Sequence, residues 1–116
     1  MENRLRSLPE WMKGYIASFI DCEGHIGIVK DNNREHHWIP RIGFCNTFKE
    51  AIERLVNILG MGSLVEEKIE HPKSHFGKKP IYRWSAQGVL DVWMIIDALE
   101  PYFLIKKRQV KLLKEY

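Results

Sequence analysis

The chain has 116 residues and a mass of 13.7 kDa, which is the size of a single domain. Hydrophobic residues make up 45% and charged residues 28% of the sequence, a composition that excludes disordered and fibrous proteins. The 18 basic and 15 acidic residues leave a formal charge of +3, which does not by itself identify a nucleic-acid binder.

Cysteine content and hydropathy bound the cellular location. The two cysteines are too few for a disulfide scaffold and favour a reducing compartment. Polar residues interrupt every apolar stretch well short of the ~20 residues that cross a bilayer, and the N-terminus lacks the apolar core of a signal peptide. We therefore expect a single domain over residues 1–116, inside the cell, in the cytoplasm or an organelle, and with no membrane partner.

The first segment with a clear signal is a helix that begins after Ser7 and ends at Gly24. Ser7 is a suitable N-cap, Pro9 fits the first helical turn, and Glu10 stands three residues after the cap, as in a capping box. Gly24 tolerates the left-handed backbone in which many helices end.

Two hairpins and further helices follow. Residues 25–31 and 38–45 are rich in β-branched and aromatic residues and predict a hairpin. Residues 47–60 carry apolar side chains at helical spacing, Phe48 among them, with Thr47 as the expected cap and Gly60 as the expected stop. The later predicted elements are strands at 63–70 and 80–86 and helices at 89–100 and 106–116. This order, αββαββα(α), predicts an α+β fold.

Small residues recur every four positions in the first helix, at Gly14, Ser18 and Cys22, with Ala17 beside Ser18. Such a stripe lets a second helix approach closely. The spacing alone leaves open whether that helix belongs to the same domain or to a second chain.

Asp21 and Glu23 place two carboxylates in the last turn of this helix, where they oppose the helix dipole at a cost of ~0.3–1 kcal/mol each when exposed. A divalent cation bound together with phosphate oxygens would offset that cost, because it prefers oxygen ligands. Two solvated surface acids are the simpler alternative.

Basic residues are concentrated in two parts of the chain. One such run is usually a solvated face, whereas two in one small domain favour a polyanionic partner. Residues 71–88 contain no acid, and a second group lies near the C-terminus. The basic residues are Lys73, Lys78, Lys79 and Arg83 in the first group and Lys106, Lys107, Arg108, Lys111 and Lys114 in the second.

Residues 16–24, IASFIDCEG, resemble the nine-residue LAGLIDADG motif of homing endonucleases. The resemblance extends over residues 10–115 and implies a four-stranded antiparallel, saddle-shaped sheet backed by helices. The identical positions are Ala17, Ile20, Asp21 and Gly24, and Ser18 and Cys22 keep small side chains. Further similar landmarks are Asn46 with Thr47, Gly60 to Gly62, Pro101 with Tyr102, and 106–109.

Position by position, the resemblance implies an active site at the end of the first helix. Glu23, which stands where Asp is more frequent, would bind Mg²⁺ together with the backbone carbonyl of Cys22. Mn²⁺ or Ca²⁺ would substitute for Mg²⁺ in binding. Lys106 would support the reacting water or the developing charge, and Asn46 would position water.

A single motif implies a homodimer in which the first helices pack about a two-fold axis. Each site would cut one strand of double-stranded DNA at a long pseudo-palindromic target, leaving 3′ overhangs, as in the mobility of introns or inteins. The residues expected at the dimer interface are Gly14, Ala17, Ser18, Asp21 and Cys22.

Strand alternation assigns side chains to the two faces of the implied sheet. Trp38, Ile42, Phe44, Tyr82 and Trp84 are expected to face the core. On the DNA side, arginines of the strands would read bases, because Arg contacts guanine at two points, and loop cations would contact phosphate. The residues expected to contact DNA are His37, Arg41, Ile81, Arg83, Arg34, Lys73, Lys78, Lys79 and Arg108, with Gly43 on the same face.

Other functions remain open on the same fold. An intron maturase that binds RNA and a DNA-binding protein that does not cleave are the alternatives, and metal-dependent cleavage would separate them from a nuclease. Zinc binding is disfavoured, because His71 and His75 lie in a predicted loop without a Cys-x₂₋₄-Cys pair.

Overall fold

The computed structural model of the chain describes residues 3–30, 37–67 and 80–115. These residues form a four-stranded antiparallel sheet and four α-helices, so the predicted αββαββα(α) order and α+β class are confirmed. Four of the predicted DNA contacts, Arg34, Lys73, Lys78 and Lys79, lie outside the described residues. The elements are a 3₁₀ turn Arg4–Ser7, α1 Glu10–Glu23, β1 Gly24–Lys30, β2 Trp38–Asn46, α2 Lys49–Leu59, β3 Ser63–Glu67, β4 Ile81–Gln87, α3 Val89–Leu99, a 3₁₀ turn Glu100–Tyr102 and α4 Lys107–Glu115.

Helix α1 begins without the predicted cap. Ser7 ends the first 3₁₀ turn, and Pro9 occupies the N-cap position of α1 without a side-chain hydrogen bond. The 3₁₀ turn forms because Asn3 accepts a hydrogen bond from the backbone N–H of Leu5 at 3.1 Å, and the Leu5 side chain is fully buried. The capping-box prediction for Ser7 was therefore wrong.

Helix α2 also starts one residue later than predicted. Phe48, not Thr47, is its N-cap residue, and the backbone N–H of Phe48 donates to Oδ1 of Asn46 at 2.9 Å. The Phe48 side chain is 61% exposed, because it precedes the first helical turn and does not share the buried face of α2. The predicted stop is confirmed, since Gly60 has the left-handed φ of 65°.

The strand order in the sheet is β1-β2-β4-β3, and every neighbouring pair is antiparallel. Phe44 pairs with Trp84 and Ile42 with Ala86, and these four side chains are buried on the face that joins the core with the helices. Gly43 pairs with His25 on one side and Ser85 on the other, so these residues point to the opposite face. We call that opposite face the open face.

Aromatic packing fixes the centre of the core. The rings of Phe44 and Trp84 stack with centroids 4.7 Å apart, and Phe19 of α1 meets Phe44 edge-on at 5.2 Å. The indole N–H of Trp84 donates to the carbonyl of Met61 at 2.8 Å. Gly62 has a φ of 82°, and a Cβ there would lie 2.6 Å from the Trp84 nitrogen, so the turn before β3 requires glycine.

Trp38 lies on the same face of the sheet as Ile42 and Phe44, as predicted, but it is 50% exposed and not buried in the core. It is the first residue of β2 and pairs with Lys30 at the far end of β1, beyond the reach of the packed helices. Elsewhere the predicted alternation holds, because Ile42, Phe44 and Trp84 are buried and Tyr82 packs against the core. Across the described parts of the chain, the helices lack the length and apolar character needed to span a membrane.

Candidate functional site

The junction between α1 and β1 places Glu23 at the start of an edge strand of the sheet. Glu23 is the last residue of α1 and is exposed, and Gly24 begins β1 with no residue between. Gly24 has an extended φ of −118°, so the predicted left-handed helix end was wrong. The position needs glycine because a Cβ would lie 2.4 Å from the Gly43 carbonyl oxygen and 2.9 Å from that of Ile20.

Asp21 connects the end of α1 with the segment that precedes α4. Its side chain is buried, and its two oxygens accept hydrogen bonds from the backbone N–H groups of Leu104 at 2.7 Å and Lys106 at 3.0 Å. In return, Nζ of Lys106 donates to the backbone carbonyl of Asp21 at 2.6 Å. The Lys106 ammonium thus lies at the negative end of the α1 dipole and compensates for the acids there.

The atoms near Glu23 that could bind a metal ion are hard oxygen ligands. The carbonyls of Ile20 and Asp21 are already bonded to Gly24 N–H and Lys106 Nζ, whereas the Cys22 carbonyl is among the last four of the helix, which have no N–H partner within it. The described residues contain no group of three or more His, Cys, Asp or Glu side chains that could hold a metal by itself. This set suits Mg²⁺, which takes one or two carboxylates and completes its shell with water and phosphate.

Asn46, predicted to position water, lies at the end of β2 and is half-buried. Its Oδ1 accepts the Phe48 N–H and so starts α2, which leaves the side-chain amide NH₂ to donate elsewhere.

The open face of the sheet carries further basic residues. His25 of β1, Arg41 of β2 and Arg83 of β4 all lie on it by the sheet register. Nε of Arg41 and Nε of Arg83 are buried without a hydrogen-bond partner within the described parts. The face therefore presents guanidinium groups whose hydrogen bonds are incompletely used.

The imidazole of His25 lies across Gly43, and a Cβ on Gly43 would be 2.6 Å from its Cε1. His25 as a residue is exposed, but this ring face loses its hydration against β2. That loss lowers the pKa of His25, and the positive charges of Arg41, Arg83 and Lys106 lower it further. Sequence reasoning missed His25 as a site residue, although its alternation with Ile26 indicated the face.

The remaining predicted DNA contacts are more scattered. His37 is exposed just before β2, and Ile81 begins β4 on the open face, half-buried. Arg108 is exposed on α4, which is not part of the sheet. The register also places Val65 and Glu67 of β3 on the open face, which the sequence left unassigned.

One face of α1 is free of the core. Trp11 and Tyr15 are 69% and 48% exposed, and Ser18 and Cys22 are also exposed, at helical spacing along one line. Gly14 lies between them, half-buried, and Cβ at this position would have open space except for Tyr102 at 3.9 Å. Ala17 and Asp21, predicted for the dimer interface as well, are buried inside the chain, because they lie on the other side of α1.

Solved structures with this architecture include homing endonucleases in complex with DNA. I-CvuI with its target superposes with a TM-score of 0.70 at 19% identity, over 90% of this chain and 64% of that one. The archaeal intron-encoded I-Vdi141I gives 0.68 at 20% identity, over 91% and 66%. The group I intron-encoded I-CeuI gives 0.69 at 13% identity, over 92% and 54%.

This chain therefore spans two thirds or less of the length of these proteins. No protein-family model matches the sequence, and no curated protein matches it. Further structural matches at TM-scores near 0.6 are LAGLIDADG meganucleases bound to uncleaved DNA, at 18% and 17% identity. The fold of this chain is thus that of the LAGLIDADG homing endonucleases, as the nine residues at the end of α1 indicated.

Proposed function

We propose that the chain is a Mg²⁺-dependent homing endonuclease that acts as a homodimer and makes double-strand breaks at a long pseudo-palindromic DNA site, leaving 3′ overhangs. One observation carries the proposal. The exposed carboxylate of Glu23 and the ammonium of Lys106 meet the same helix end, directly beside an open sheet face with Arg41 and Arg83. A carboxylate that can bind a metal ion, an ammonium that can stabilise developing negative charge and a cationic surface suit the cleavage of a bound phosphodiester.

Glu23 and the Cys22 carbonyl would hold the metal ion, and the second copy would provide an equivalent pair. The ion, when bound with DNA, would polarise the scissile phosphate and neutralise charge that develops on it. Asp21 keeps its carboxylate for Leu104 and Lys106, and therefore holds the site together without binding the ion.

Lys106 and Asn46 would assist from two sides. The Lys106 ammonium has three N–H donors, and the Asp21 carbonyl uses one, so the others remain for phosphate oxygens. Asn46 would hold a water molecule by donating from its amide NH₂, since its Oδ1 accepts the Phe48 N–H. These roles are assigned by the resemblance and by the groups that remain free.

The exposed line of α1 supports a second copy as partner. Exposed Trp11 and Tyr15 continue the small residues Ser18 and Cys22, so a two-fold pair of α1 helices would bury apolar rings at one end and approach closely at the other. Such a pair would bring two Glu23 carboxylates to one end of the seam and present two open faces to double-stranded DNA.

Cleavage of a randomised DNA library tests the proposal, with Mg²⁺ and with EDTA in parallel and the cut ends sequenced. We expect Mg²⁺-dependent cuts at one pseudo-palindromic site, and a loss of cleavage of about 10²-fold or more in Glu23→Gln with DNA affinity retained. Glu53→Gln, an exposed acid on α2, is the matched control and should cut normally.

Two results would overturn the assignment. Unchanged cleavage by Glu23→Gln would remove Glu23 from the active site. A folded wild type that cuts DNA with none of the divalent ions would leave a binding protein that does not cleave, and tighter binding to structured RNA than to duplex DNA would favour a maturase.

A further inference from the structure

An acidic side chain stands among the cations of the open face. Glu67 pairs with Ile81 in the register of β3 and β4, while Arg83 pairs with Val65, so Glu67 and Arg83 are diagonal neighbours on the same face. Nη2 of Arg83 donates to Oε2 of Glu67 at 3.3 Å. Nε lies 3.2 Å from Oε1, in ionic contact, but its N–H does not meet the direction required for a hydrogen bond.

Neither the stability of the fold nor affinity for DNA explains why Glu67 lies among these cations. The side chains of Arg83 and Glu67 are 41% and 49% exposed, and ion pairs at that exposure contribute little to folding. A carboxylate on a surface that meets a polyanion weakens non-specific attraction, because it cancels one of the positive charges. The contact with Arg83 leaves one role for this acid, which is to orient the arginine side chain.

The contact occupies one particular edge of the guanidinium. Glu67 lies along the side edge, which is formed by Nε and Nη2. The end edge, formed by Nη1 and Nη2, is not used by this contact and retains two parallel N–H donors. Two parallel donors match O6 and N7 of guanine in the major groove.

Arg41 provides a contrast within the same face. Its Nε is also buried without a hydrogen-bond partner, and no carboxylate of the described residues lies in ion-pair distance of it. Its guanidinium is therefore not oriented by an acid, whereas that of Arg83 is held before DNA arrives. A side chain that is already ordered loses less freedom when it binds.

We propose that Glu67 is a positioning residue that fixes Arg83 for guanine, and so sets the base preference at the position that Arg83 meets. This inference rests on the proposed function, because it takes double-stranded DNA as the ligand of the open face. It adds a residue that acts on sequence choice rather than on cleavage.

The test compares Glu67→Ala with Glu66→Ala, the neighbouring acid, which is also exposed but faces the other side of the strand. Each variant and the wild type select from a randomised duplex library with Ca²⁺ present. We expect the guanine preference of Glu67→Ala to fall by about tenfold at one position of each half-site, and its base preferences at the other positions to stay unchanged. Its affinity for non-specific DNA at low salt should rise, because one negative charge is removed. Arg83→Lys should lose the same position, because lysine has no two-point edge.

A second measurement needs no DNA. In the free protein, NMR relaxation of the Arg83 Nε–H should report a restricted side chain in wild type and Glu66→Ala and a mobile one in Glu67→Ala, with Arg41 as internal reference. The same spectra show that the variants are folded.

The two proposals fail in different ways. Guanine preference that survives in Glu67→Ala but disappears in Arg83→Lys would overturn the role of Glu67 and leave the endonuclease intact. An Arg83 side chain that is equally mobile in wild type and in Glu67→Ala would also overturn the positioning role of Glu67. A wild type with no base preference would overturn both proposals.

Discussion

Asp21 and Glu23 stand two residues apart in α1, yet the fold gives them opposite uses. Asp21 is buried and bonded to two backbone N–H groups, while Glu23 is exposed at the end of the helix. The spacing places their side chains about 200° apart around the helix, so one faces the chain and the other solvent. Residue type did not distinguish them, whereas this geometry does.

Asp21 and Glu23 should differ in how much each contributes to the stability of the fold. Asp21→Asn replaces one carboxylate oxygen by an NH₂ group, which leaves the backbone N–H of either Leu104 or Lys106 without an acceptor. We therefore expect the free energy of unfolding to fall by about 2–3 kcal/mol. Glu23→Gln is the matched control and should stay within about 0.5 kcal/mol of wild type. Urea unfolding of the three proteins measures both values, and an Asp21→Asn protein as stable as wild type would contradict the assignment.

The sequence named the residues of the candidate site but not the contacts that support them. Glu23 and Lys106 could be named from the resemblance to the LAGLIDADG family, and Arg41 and Arg83 from strand alternation. The contacts from Asp21 to residues 104 and 106 span more than 80 positions, so no local pattern contains them. His25 and Glu67 were missed because their roles depend on which strand lies beside them.

At the scale of elements, the N-terminal turn ties two helices to the core. Arg4 donates to the carbonyls of Ile58, at 3.3 Å, and Leu59, and so caps the last turn of α2. Asn3 and Arg6 both donate to the carboxylate of Asp97 on α3, at 3.0 Å and 2.6 Å. We call these contacts of Asn3, Arg4 and Arg6 the N-terminal clasp, and they lie just before the residues that were predicted to start the first helix.

This clasp predicts a pH dependence of stability. Hydrogen bonding and charge from Arg6 lower the pKa of Asp97 below its usual 3.8, although partial burial opposes the shift. Since the folded pKa lies below the unfolded one, the contribution is complete above about pH 4 and disappears as the pH falls through the folded pKa.

Asp97→Asn measures that contribution. We expect its melting temperature to lie below that of wild type at about pH 6 and the two to converge at about pH 2. Glu66→Gln, at an exposed acid of β3 that has no ion pair among the described residues, is the control and should stay near wild type at both pH values. A gap between Asp97→Asn and wild type that stays constant with pH would mean that the charge of Asp97 does not stabilise the fold.

The order of helices and strands was predictable because each has a characteristic spacing of apolar residues and a recognisable end. The residues at which the helices begin were not predictable. Gly60 ends α2 as predicted, and the alternation in β2 and β4 gave the buried face. The starts of α1 and α2 differ from the prediction because Pro9 and Phe48 occupy the N-cap positions, and neither makes a side-chain cap hydrogen bond. The presence of Ser7 and Thr47, residue types that often cap helices, therefore did not locate these helix starts.

At the scale of the whole molecule, the proposed dimer depends on one face of α1. Ser18→Leu would place a branched side chain in a seam that needs close helix approach, so we expect the variant to be monomeric and unable to cut both strands. Asn57→Leu, an exposed position on α2, is the control and should remain dimeric. Sedimentation velocity decides, and a stable Ser18→Leu dimer would refute this interface.

Strand β3 is an edge strand whose five residues are all exposed, next to β4, which is anchored through Trp84. Substitutions at such positions usually change stability by less than about 0.5 kcal/mol. By contrast, β1 begins directly at the residue after Glu23, so changes there disturb the carboxylate as well. Under the proposed function, β3 can exchange side chains that contact DNA without loss of the fold, whereas changes in β1 also disturb Glu23. Lineages of this protein that acquire new DNA targets should therefore do so through β3 first.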